Sequence, residues 1–203
     1  MNILDTWLSV AGVVSRWAVR CAGAAIFVSG GLVSVDVLGR KFLSLSVGGA
    51  DELSGYAFAV ATSWALAFVL LERANVRVDA LYIHLPKPVT ALLDLVALLM
   101  LGLFVLLLGW FAGKVLEDSL LFATKANTPL GTPLWIPQLL WLLGFGLFLF
   151  AWLPLVLRVA MALLSGDLAR VRALAGARTL QEEAAAEVAH TADIEKVAIE
   201  GRR

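Results

Sequence analysis

The stretch ANTPLGTPLWIPQLLWLLGFGLFLFAWLPLVL, residues 126–157, contains no Asp, Glu, Lys or Arg. A transmembrane helix needs about 20 apolar residues to cross roughly 30 Å of hydrocarbon, and this run is longer than that. Working outward, residues 53–71 and 95–113 are equally free of charge, and 21–35 is a shorter clean run bracketed by Arg20 and Asp36. A helix of about 19 residues rises roughly 28 Å, so each of the longer runs can span a bilayer. The chain therefore reads as an all-α integral membrane protein with four transmembrane helices, at about 18–39, 52–71, 89–113 and 134–157.

Composition agrees. Of 203 residues, 61% are hydrophobic and 16% charged, against about a quarter charged in soluble proteins. Formal net charge is zero, so bulk electrostatics select neither nucleic acid nor an anionic surface as a partner. The single cysteine, Cys21, cannot form an internal disulfide and lies in an apolar run. Arg16 and Arg20 before an apolar stretch imitate a signal peptide. Residues 32–39 offer no small-x-small cleavage site, so the segment is expected to stay as an anchor.

Residues 1–16 carry Ile3, Leu4, Trp7, Leu8, Ala11 and Val14 at helical spacing, which predicts a short interfacial helix before the first span. Between the second and third spans, Val78, Leu81, Tyr82 and Leu85 share one helical face, predicting a short amphipathic helix stopped by Pro86. The third span is expected to continue past Gly113 towards Leu121. Thr128-Pro129-Leu130 and Thr132-Pro133-Leu134 break the chain before the fourth span. Residues 165–203 form an Ala-, Glu- and Arg-rich tail in which Thr179 and Glu182 make a capping-box pattern. With four spans, one side holds Arg16, Arg20, Arg73, Arg77, Lys87, Arg158, Arg170 and Arg172, and the other only Arg40, Lys41, Lys114 and Lys125. The positive-inside rule then places both termini and the tail in the cytoplasm.

Chemistry-bearing residues are sparse. The two histidines, His84 and His190, lie outside the spans, so neither metal-ligand spacing nor intramembrane haem ligation is present in the sequence, and no cofactor is expected. Asp36 and Asp94 sit near span ends, where pairing or contact with another subunit is the preferred reading over an ion pathway. The second span repeats Gly55, Ala59, Ser63 and Ala67 every four residues, with Ala57, Ala61 and Ala65 as a second row. Small residues at that spacing let helices approach closely, either inside this chain or against another protein. Trp110, Trp135, Trp141 and Trp152 suit interfacial anchoring, and Pro137 and Pro154 lack polar residues that would make a broken-helix binding site.

Three pieces, in order, carry a family resemblance: Asp51-Glu52 opening the second span, Glu72-Arg73-Ala74-Asn75-Val76-Arg77-Val78-Asp79 followed by Leu85-Pro86, and the stretch from Ser119 through Thr128-Pro129-Leu130 to Pro133-Leu134-Trp135-Ile136-Pro137. Together they resemble the small membrane subunit (DctQ type) of tripartite ATP-independent periplasmic (TRAP) transporters, over about residues 16–164. Asn75 departs from the His often found in such proteins, so no imidazole role is carried over. The resemblance implies a non-enzymatic subunit of the bacterial inner membrane. In that family it braces a large many-spanning subunit during sodium-coupled uptake of an organic acid delivered by a periplasmic solute-binding protein. It further implies that Glu52, Arg77 and Asp79 stabilise loop geometry or bind the large subunit. Gly55, Ala59, Ser63, Ala67 and Asp94 join them as candidate interface or structural residues. Membrane lipids are the other expected partner. Two rivals stand beside this reading: a haem-free membrane anchor of a respiratory oxidoreductase, and a stand-alone channel that would have to oligomerise to build a polar pore.

Overall fold

The structure, a computed structural model, describes residues 3–46, 48–74 and 85–176, together with Ala184, Val188 and Thr191. The amphipathic connection at 78–84, with Arg77, Asp79 and His84, and the capping-box pattern at Thr179 lie outside the described residues. Four long helices carry the fold: α1 (Ile3–Leu43), α2 (Ala50–Leu71), α3 (Lys87–Leu121) and α4 (Trp135–Leu164). A short α5 (Leu168–Ala175) follows. All four long helices have the length and composition to cross a membrane.

Their boundaries follow from local chemistry. Asp51 and Glu52 in the first turn of α2 complement the positive end of its dipole. Pro86 precedes α3 in extended conformation and Pro88 occupies its first turn, where a missing N–H costs nothing. Three helices end alike. Arg73, Ala123 and Gly166 adopt left-handed backbone just past α2, α3 and α4. The next amide in each case returns to the helix, with Ala74 N–H donating to Val69, Thr124 to Ser119 and Asp167 to Ala162. These Schellman closures satisfy carbonyls that the helix end would otherwise orphan. The Asp167 carboxylate caps α5 by accepting from the Arg170 amide at 3.0 Å.

One expectation changes. The segment read as a separate interfacial helix ending near residue 16 is continuous with the first span, because α1 runs unbroken from Ile3 to Leu43. No proline interrupts it, and its small-residue stripe continues across the expected junction, with Ala11, Ser15, Ala18 and Ala22 all buried. Its first turns are held against α4: Trp7 meets Phe150 at 5.5 Å between ring centroids, and Asp5 pairs with Arg158. At 41 residues α1 rises roughly 60 Å, twice the hydrocarbon thickness, so it must tilt or leave the apolar slab. The helical continuation of α3 through Leu121 carries Lys114, Glu117 and Asp118 beyond its charge-free run.

The packing hub is α4. It touches α1, α2, α3 and α5, while α2 lies between α1 and α4, and α5 crosses against α3 and α4. The core runs along this hub through Val105 of α3, Leu70 of α2 and Phe145, Phe148, Leu155 and Val159 of α4. Many large apolar side chains, Phe27 and Phe104 among them, point outward instead. A helix apolar around its whole circumference is stable in that arrangement only where the surroundings are themselves apolar.

Candidate functional site

Two neighbouring features use the predicted residues: a polar clasp at the end where α2 and α4 begin, and a close contact inside the α2–α4 pair. In the clasp, the Glu52 carboxylate accepts from the Tyr56 hydroxyl one turn along α2, at 2.8 Å, and from the Thr128 hydroxyl in the loop before α4. Thr132 lies against the same carboxylate with its hydroxyl and backbone amide. The loop itself is hairpin-like. Ala126 N–H donates to Thr132 at 2.9 Å, Gly131 to Thr128 at 3.0 Å and Leu134 to Thr124 at 3.1 Å. Glu52 thus joins the two threonines of the paired Thr-Pro-Leu triplets, and the triplets act as one folded unit.

The α1–α2 connection abuts that unit. Gly49, at φ 99°, has left-handed backbone and leaves no room for a side chain, since an added Cβ would come within 2.7 Å of Leu130 Cγ. Buried Asp36 pairs with Arg40 and accepts from the Ser46 hydroxyl at 3.0 Å, and Ser46 Oγ in turn accepts from the Gly48 amide. Asp36 thereby secures the turn out of α1. Glu52→Ala would leave the Tyr56, Thr128 and Thr132 hydroxyls without their shared acceptor. We expect several-fold faster hydrogen exchange at the Gly131 and Leu134 amides and little change in the melting of the helical core, because the loop opens as a local unit.

The row Gly55, Ala59, Ser63, Ala67 does not stay on one surface. Gly55 is exposed with nothing near its missing side chain, Ala59 is half-buried, and Ser63 and Ala67 are buried. Ser63 lies directly on Gly144 of α4. A Cβ at position 144 would fall 2.6 Å from the Ser63 Cβ and 2.7 Å from its backbone carbonyl carbon. Beside this contact the Trp64 indole N–H donates to the Leu140 carbonyl at 2.8 Å. On the other side of α4, the Trp152 indole donates to the Leu98 carbonyl of α3 at 2.8 Å and overlies Gly102. Trp141 stacks edge-on with Phe145 at 4.9 Å. Trp152 therefore departs from the interfacial-anchor reading and works as a helix-to-helix contact, while the Trp141 pairing with Phe145 stays within α4. Trp110 remains exposed, with Lys114 above its ring.

Asp94 is buried near the opposite end of the bundle, bordering a cavity of about 460 Å³ between α3 and α5 that Lys87, Thr90, Asp167 and Arg172 also line. Arg77 and Asp79 fall outside the described residues, so of the eight predicted positions the structure groups Glu52 with the loop and Ser63 and Ala67 with the helix interior. Among the described residues no three of His, Cys, Asp and Glu come together as metal ligands. The functional reading of the sequence missed Thr128, Thr132, Gly102 and Gly144. The repeated Thr-Pro-Leu was the available signal for the first two, and isolated glycines within apolar spans for the others.

A family model described as Tripartite ATP-independent periplasmic transporters, DctQ component, matches residues 29–162, about two thirds of the chain. The match includes the second to fourth spans, the clasp and the α2–α4 contact. No curated protein and no solved structure matches.

Proposed function

Because the chain belongs to the DctQ component family of tripartite ATP-independent periplasmic transporters, we propose that it is the small, static membrane subunit that braces a large transport subunit. The large subunit moves an organic acid across a bacterial inner membrane in a sodium-coupled cycle, after a periplasmic binding protein delivers the solute. Both termini of the small subunit lie in the cytoplasm, which puts the Glu52 clasp on the periplasmic side. Arg77 and Asp79 serve the cytoplasmic connection, in loop geometry or contact with the large subunit.

The observation that carries this reading is the family match, and the close packing of the helix layer supports it. The α2–α4 pair is in backbone-level contact at Ser63 and Gly144, and its open end is closed by the Glu52 clasp. Two buried polar side chains are engaged in structure: Asp36 in the α1 turn and Ser63 in a hydrogen bond to the Val60 carbonyl of its own helix. Close helix packing and wide apolar outer surfaces are what a brace in a bilayer would use, and they support this reading.

Affinity purification of the tagged chain in mild detergent tests the partner. A large multi-spanning protein should co-purify, and deletion of the chain should abolish solute uptake by cells that retain the other two components. Gly55→Leu refines the contact face, because position 55 is open in the chain itself. If α2 presents that end to the large subunit, Gly55→Leu lowers co-purification without lowering the yield or helicity of the small subunit. Unchanged co-purification moves the contact to another face. Ser63→Leu cannot serve this purpose, since it would act on the chain's own α2–α4 contact.

A further inference from the structure

Arg16 and Arg20 are exposed on α1, one turn apart, and among the described residues neither makes an ion pair. Their depth is set by packing. Val13, Trp17 and Cys21 line a groove of about 430 Å³ together with Trp64, Leu143 and Leu147. Trp64 stands near the middle of the charge-free run 53–71, and Leu143 and Leu147 near the middle of 126–157. The two arginines therefore lie alongside the apolar interior of the bundle, not beyond its edge as their place in the sequence suggests. Both side chains turn back along the helix towards its N-terminus, as helical geometry favours: Arg16 reaches Gly12, and the Arg20 guanidinium sits 5.4 Å from the Trp17 ring centroid.

Two guanidiniums at that depth are stabilised by an anion from outside the chain, since an uncompensated charge in hydrocarbon is disfavoured. The groove beside them favours a lipid over an acidic protein helix. It is almost wholly apolar and is lined on α1 by Val13, Val14, Trp17, Ala18 and Cys21, the residues interleaved with the two arginines along the helix. We propose that α1 carries a binding site for one anionic phospholipid. The phosphodiester lies between Arg16 and Arg20, and one acyl chain lies in the groove against Trp17 and Trp64. Planar guanidinium groups donate paired hydrogen bonds to phosphate oxygens, and an arginine pair can hold a phosphate inside the headgroup boundary where one cation would not. The site belongs to the leaflet on the side of the α1 N-terminus, and it is independent of the solute carried.

Native mass spectrometry of the purified full chain in detergent, titrated with palmitoyl-oleoyl phosphatidylglycerol or phosphatidylcholine, tests the site. The unmodified chain should retain the phosphatidylglycerol at least tenfold better, and Arg16→Gln with Arg20→Gln should erase that preference. Lys114→Gln with Lys125→Gln, removing the same charge elsewhere, should leave it in place. Cys21→Trp fills the groove from an exposed position and should weaken retention with both arginines intact. Equal retention of the two lipids by the unmodified chain overturns the proposal, as does a preference that survives the double arginine change. Loss of the co-purifying large subunit in the double arginine variant, with lipid retention unchanged, also overturns it and assigns the guanidiniums to a protein contact.

Discussion

Gly144→Leu is expected to separate α2 from α4 and to destabilise the chain more than any substitution in the loops. The neighbour at position 144 is the Ser63 backbone as well as its side chain, so rotamer adjustment cannot absorb the added atoms. The Trp64 to Leu140 hydrogen bond lies within four residues of the clash on one helix and one residue on the other, and it is lost as the helices part. Overpacking a core costs about 1–3 kcal/mol and more where the backbone must move. For a chain of this size the upper end corresponds to a melting-temperature fall of about 10 °C. Thermal unfolding in detergent, followed by tryptophan fluorescence, measures it. Gly146→Leu supplies the control two residues away, because nothing lies near that position and melting should change little. Equal effects at 144 and 146 would mean that α2 and α4 are not in backbone contact.

The same pair of helices shows what sequence could and could not disclose. Four spans were legible because charge-free length is a one-dimensional property that the bilayer converts directly into a helix. The small-residue row on α2 was legible as a packing signal, but not as a partition between inside and outside. A step of four residues advances about 40° beyond a full turn, so Gly55 and Ala67 differ by roughly 120° around the helix. That rotation carries the row from open surface at Gly55 to buried contact at Ala67. The composition of α2 alone does not say where α4 crosses it. Continuity of α1 through residue 16 was hidden for a related reason. Charge at Arg16 and Arg20 looked like the edge of a span, whereas the stripe Ala11, Ser15, Ala18 and Ala22 keeps packing past it. The Glu52 clasp was half visible. Its acid was singled out at the opening of α2, but its partners sit 76 and 80 positions away in a loop whose folding depends on its own backbone bonds.

Gly102 and Trp152 form the second contact whose disruption should be large, and here the effect should be reversible by design. The Trp152 ring rests where a Cβ on residue 102 would project, and its indole N–H is fixed to the Leu98 carbonyl one turn earlier on α3. Gly102→Ala therefore forces the ring outward and stretches that hydrogen bond, for a cost of about 1–3 kcal/mol. Trp152→Leu loses ring contacts and the hydrogen bond and leaves a void, also destabilising. Combined, the two changes should be less harmful than their sum, because the smaller side chain makes room for the methyl group. The alanine then recovers helix propensity that glycine lacks, about 1 kcal/mol. A coupling of about 1–2 kcal/mol in the double-mutant cycle is the expected result. Trp152→Phe separates the two contributions of the indole, since it keeps an aromatic ring and removes only the donor. Strict additivity in Gly102→Ala with Trp152→Leu would show that the ring does not lie on Gly102, and the α3–α4 contact would then have to be held by the aliphatic residues around Leu98 and Val105 instead.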